Sequence, residues 1–112
     1  MAQPFLDNLK ILVGRHLPLK RHLVCKHFFS GAALYADGVI CASLTPVGLA
    51  FKLPAKLCSE LIDCGAASEL KYFAKSPVKK GYVLFSNFGT LSDADMAMYF
   101  RMAVEHVRPM TT

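Results

Sequence analysis

The residues in this chain that could do chemistry are few, and the closest-spaced pair is Cys25 and His27. In an extended chain positions two apart point the same way, so Leu23, Cys25 and His27 share one face and Val24, Lys26 and Phe28 the other. A cysteine paired with a histidine can form a thiolate, the nucleophilic species. No Asn, Asp or oxyanion-holding loop is indicated beside the pair, so a half-buried strand cysteine and a surface histidine explain it more simply. The other cysteines, Cys41, Cys58 and Cys64, sit in apolar surroundings and are expected to be reduced and mostly buried. Cys58 and Cys64 lie six apart, on different faces of a helix, and no CxxC occurs. That spacing implies no metal site. The carboxylates are scattered, which leaves paired acid–base work unsupported. Gly31, Gly38 and Gly48 lack phosphate-loop spacing, and turns account for them. No cofactor is implied.

The charge is more suggestive. The 112 residues carry a net charge of +5, unevenly placed. Arg15, Lys20, Arg21 and Lys26 fall close together among His16, His22 and His27. Lys71, Lys75, Lys79 and Lys80 form a second group around Pro77. Of these, Arg15, Lys20, Arg21, Lys26, Lys79 and Lys80 are the candidate contacts for phosphates or an acidic partner. The bland reading is a solvated face that keeps an apolar protein soluble. Contacts of this kind give salt-sensitive binding without sequence preference. No helix shows the basic, polar exposed face that base reading needs; the last one offers only Arg101 and Arg108. Met98 and Met102 lie off the main apolar stripe of that helix at helical spacing, and they are the candidate protein interface, for self-association or docking on another protein.

A chain this long reads as one domain, residues 1–112. With 54% apolar and 19% charged residues it folds as a globule and needs no disulfide or metal. The stretch from Phe28 to Phe51 is long enough to span a bilayer, but Asp37, its glycines and Pro46 stand at turn spacing, so hairpins replace a spanning helix. Asp7 and the lack of a basic lead argue against a signal peptide, and the expected location is the cytosol.

Helical spacing of Phe5, Leu9 and Leu12 after Pro4 predicts a first helix that Gly14 and Pro18 end. Strand signals run from His22 through Phe29. Asp37-Gly38 supplies the positive backbone angles of a tight hairpin. Val39–Leu44 is apolar on both faces and reads as a central strand, and Leu49, Phe51 and Leu53 alternate through a further one beyond a reversal at Pro46-Val47-Gly48. Pro54 opens a second helix that Gly65 caps in the left-handed conformation. Short strands follow at Leu70–Phe73 and Tyr82–Phe85. Ser92 and Asp95 form a capping-box-like start to a final helix, with Leu91 stapling against Met96 and an apolar stripe of Met96, Tyr99 or Phe100, Ala103 and Val107. The order is α-β3-α-β2-α, an α+β fold with an antiparallel sheet packed by helices.

These residues resemble the TfoX N-terminal domain family, the first domain of the Sxy/TfoX regulators of bacterial competence. The likeness is carried by Phe29-Ser30-Gly31, Leu34-Tyr35, Asp37-Gly38-Val39, the apolar strand through Leu44 and Leu49-Ala50-Phe51-Lys52. It extends more loosely to Val107. The chain has Ala32 or Ala33 where members often carry a second Gly, and its segment after Tyr82 reads Val-Leu-Phe-Ser-Asn-Phe-Gly rather than the family's Tyr- and Pro-bearing stretch. The resemblance implies a fold similar to the secretion-chaperone-like group. It also implies a non-enzymatic, cytoplasmic module that binds another macromolecule in transcriptional regulation. The family's C-terminal helical domain is expected to be absent from this sequence. The alternative reading is a small enzyme or ligand-binding protein using a pocket between sheet and helix.

Overall fold

The computed structural model describes residues 3–16, 23–28, 31–71 and 77–107. Helix α1 (Gln3–His16) precedes β1 (Leu23–Phe28), β2 (Gly31–Ala36), β3 (Val39–Thr45) and β4 (Gly48–Lys52). Helix α2 (Ala55–Asp63), β5 (Ser68–Leu70), β6 (Lys79–Phe85), a 3-10 turn (Phe88–Thr90) and helix α3 (Asp93–Val107) complete the described chain. The fold is α+β. Its strands form a single antiparallel sheet in the order β1-β2-β3-β4-β6-β5.

Four strands rather than three precede α2. The strand expected from His22 through Phe29 is β1 over its described residues, His22 and Phe29 falling outside them, and a further strand begins at Gly31, with Phe28 opposite Gly31 in register. No Asp-Gly or Asn-Gly pair marks that reversal, which is why it is hard to read. A Cβ on Gly31 would collide with the backbone of Leu44 and Thr45. The glycine there answers a close strand approach. Helix α1 continues past Gly14 to His16. A glycine in a helix costs about 1 kcal/mol relative to alanine, and the burial of Leu9 with the part-burial of Leu12 and Val13 offsets that cost. Pro18 falls outside the described residues. So do Tyr72 and Phe73 of the strand expected over Leu70–Phe73; the strand here, β5, runs Ser68–Leu70. Lys79 and Lys80 belong to β6 rather than to the loop before it.

The reversals follow from turn chemistry. Asp37 and Gly38 both have positive φ, 52° and 81°, between paired Ala36 and Val39. That is the two-residue turn whose twist matches the flanking strands. Between β2 and β3 the register slips once: Leu34 faces Ala42 and Tyr35 faces Ile40, leaving Cys41 as the extra residue of a bulge. Both Cys41 and Ala42 consequently join the core.

One face of the sheet carries Leu34, Leu44, Leu49, Phe51, Val83 and Phe85, and α1 and α3 pack over it. Phe51 is the hub. Its ring centroid lies 4.9 Å from Phe100 at 88°, 5.7 Å from Tyr99 and 6.0 Å from Phe85. Tyr99 in turn lies 5.1 Å from Phe85. Edge-on contacts of this kind add to the area buried. Helix α2 sits beside β5 and β6 and ends in a Schellman motif: the Gly65 N–H donates to the Ile62 carbonyl and the Ala66 N–H to that of Leu61, with Gly65 at φ 81°. At the start of α3 the Asp95 N–H donates to Ser92 Oγ at 3.1 Å, and Leu91 packs on the same core as Met96. The opposite face bears a cross-strand row, Ala33, Ser43, Ala50 and Leu84, all buried.

Two substitutions test this account by chemical denaturation. Gly48 holds φ 135°, and a Cβ there would approach the Phe85 carbonyl oxygen to 2.6 Å. Gly48→Ala is expected to lower stability by at least about 2 kcal/mol through strain and the forced shift of β6. Ser92→Ala removes only a cap and is expected to cost about 1 kcal/mol. Equal effects would contradict the distinction drawn between strain and capping.

Candidate interaction site at the basic sheet edge

At one end of the sheet β1 forms the edge, and there the candidate side chains meet the fold. Cys25 points toward the helices and is half-buried, Lys26 and His27 are exposed, and Val24 is 46% exposed. Burial raises the Cys25 thiol pKa, and the nearby Lys10 ammonium only partly opposes it. A nucleophilic cysteine needs the reverse, an environment that favours thiolate. Cys41, wholly buried in the bulge, is pushed up to about 12 by burial, with a smaller contribution from Cys25. Its Sγ donates to the Leu34 carbonyl at 3.5 Å. All four cysteines are free. Cys58 is buried and donates to the Leu53 carbonyl, and burial raises its pKa as well. Cys64 departs from the expectation of mostly buried thiols: it lies exposed just past α2, as that helix's C-cap.

The basic residues divide. Arg15 is exposed near the end of α1, Lys26 on β1 and Lys80 on β6. Lys79 begins β6, while Lys20 and Arg21 lie outside the described residues. The two basic groups do not form one patch: β1 and β6 are separated by β2, β3 and β4. Two contacts could not be foreseen without the register. The Lys26 Nζ lies 5.3 Å from the Tyr35 ring centroid, reaching diagonally from its partner Ala33. The Lys52 Nζ lies 6.0 Å from the ring of Tyr82, its direct partner. Such contacts set each ammonium near a ring face, with Lys26 still exposed. Lys10 is the other addition. Helical phase alone places it on the rim of the apolar stripe of α1, but its nearness to β1 required the fold.

Met98 and Met102 are half-buried against the core, so only part of each side chain faces solvent. The 3-10 turn and the α2–β5 connection enclose a polar hollow of about 180 Å3 bordered by Ser68, Ser86, Asn87 and Thr90. A second hollow of about 240 Å3 opens between α2 and β6, over Cys58 and Ile62 with Glu69, Lys80 and Tyr82 at its rim. Among the described residues no three of His, Cys, Asp and Glu converge as metal ligands, and no helix is long and apolar enough to cross a membrane.

The resemblance to the TfoX N-terminal domain stands on the residues that carry it, since neither models of known protein families nor curated protein sequences give a match to this chain.

Proposed function

We propose that this chain is a non-enzymatic macromolecule-binding module, resembling the TfoX N-terminal domain and serving bacterial regulation of the transcriptional or competence type in the cytoplasm. The observation that supports it best is the exposure of Arg15, Lys26 and Lys80 on a protein of net charge +5, while the one Cys–His pair in the sequence has its thiol raised by burial. Exposed cations at two places on the sheet suit an acidic protein partner, with nucleic-acid phosphates as the weaker option and a membrane not among the partners. The part-exposed Met98 and Met102 supply an apolar complement for protein contact or self-association.

A second reading is favoured by the hollow between α2 and β6, which lies between helix and sheet as a ligand-binding protein would require. Its volume of about 240 Å3 falls below the roughly 300–1,000 Å3 usual for small-molecule pockets. It therefore ranks second.

Two measurements separate these readings. Binding to arbitrary duplex DNA should be weak and should fall steeply with added salt, and Lys79→Ala with Lys80→Ala should flatten that dependence; absence of binding at low salt removes nucleic acid from the partners. Alkylation of the native protein near neutral pH should modify exposed Cys64 well ahead of Cys25 and leave Cys41 untouched. Rapid, selective modification of Cys25, lost in His27→Ala, would instead support a nucleophilic pair and overturn the non-enzymatic reading.

A further inference from the structure

The two edges of the sheet differ in a way that bears on the partner. The β5 edge is three residues long, and its pairing with β6 is irregular. Short and irregular edges resist pairing with other chains. The β1 edge has neither protection. All six of its residues pair with β2 in unbroken register, with no bulge, proline or glycine in the strand. Among the described residues it pairs on that side only. In an antiparallel pair alternate residues turn their N–H and C=O away from the partner, so over Leu23–His27 β1 presents a row of such groups roughly 17 Å long.

The surroundings of this edge are basic and partly apolar. On the outer face Val24, Tyr35 and Ile40 form one cross-strand row, with Lys26 held above Tyr35. Lys10 stands near Cys25 on the helix side, where α1 packs on β1. Neither β1 nor β2 contains a carboxylate; Asp37 sits in the turn beyond Ala36, and Asp7 on α1. A second copy of the chain fits this edge poorly. Residues opposed across antiparallel strands share a face, so a symmetric pair centred on the strand sets Lys26 against Lys26 or places the two lysines as near neighbours, and each copy carries a charge of +5.

We infer that the β1 edge accepts an extended, acidic segment of another protein as an added antiparallel strand, its main chain pairing with Leu23–His27, its acidic side chains meeting Lys26 and Lys10, and an apolar side chain resting on Val24 and Tyr35. Main-chain pairing supplies affinity, and the flanking lysines select sign. This deepens the macromolecule-binding reading and rests on it.

The test uses amide spectra and hydrogen exchange of the full chain with two capped peptides, one alternating Glu with Val and one alternating Lys with Val. The acidic peptide should shift and protect the Leu23–His27 amides and bind about tenfold more tightly than the basic one at low salt. Lys26→Glu, at an exposed site that the fold tolerates, should reverse that preference while leaving the melting curve in place. Shifts confined to Lys79–Phe85 would overturn the edge assignment but leave the broader binding reading intact. No shift at millimolar peptide would overturn the proposal, as would a dimer in sedimentation whose interface protects β1. A preference unchanged in Lys26→Glu would overturn the role given to charge.

Discussion

The structure hangs on the packing around Phe51. This residue lies on β4, near the middle of the sheet, and meets Tyr99 and Phe100 of α3 as well as Phe85 of β6. One ring thus ties the last helix to two neighbouring strands that are distant in sequence. Fully burying an aromatic side chain is worth several kcal/mol, a large part of the net stability of a domain this size. The arrangement explains why α3 lies across β3 and β4 and leaves the β1 end of the sheet to α1. The interaction edge is therefore the part of the sheet farthest from the aromatic anchor, covered by α1, whose one aromatic is Phe5.

Close backbone contacts are the second constraint. Gly31 and Gly48 both begin strands, and at both a side chain would run into the neighbouring backbone. Central strands β3 and β4 are buried on both faces, and the outer cross-strand row is filled with the small Ala33, Ser43 and Ala50 before Leu84. Tyr35 and Tyr82 lie on one side of that row, each with a lysine over the ring. The bulge at Cys41 adjusts the phase so that Val39 and Ala42 both reach the core despite their odd and even positions.

Much of this was legible in the sequence wherever a local rule sufficed. Asp37-Gly38 could only be a tight hairpin turn, Gly65 could close a helix, and Ser92 could open one; each rests on backbone angles or hydrogen bonds within a few residues. The stripe of α3 was readable because its period of 3.6 repeats four times. The first hairpin was not readable, because its turn carries no glycine pair and the segments on both sides are apolar enough to read as one strand. For the same reason the candidate site was only half visible. Arg15, Lys26 and Lys80 show as basic residues in any reading, but that Lys26 belongs with Tyr35 depends on a register set by that unread turn. For Met98 and Met102 helical phase shows only that they lie off the main stripe; that they are part-buried against the core depends on the neighbouring elements.

What separates the basic edge from an ordinary solvated surface is the combination of three features, none of which suffices alone. Lysine on an edge strand commonly serves to repel other chains, and taken singly Lys26 would be read that way. That function needs the charge to project across the edge. Here the Lys26 ammonium leans over Tyr35 of β2 on the outer face, away from the side of β1 that carries no strand among the described residues. A repelling lysine also works against any strand, whereas one seated on a ring beside Val24 works only against a like charge. A carboxylate arriving opposite Lys26 keeps the ammonium in place, gains a charge-assisted contact and covers apolar surface on Val24 and Tyr35. The side chain that would oppose a second copy at this edge is thus suited to admit an acidic strand, and the discrimination comes from its sign and its placement.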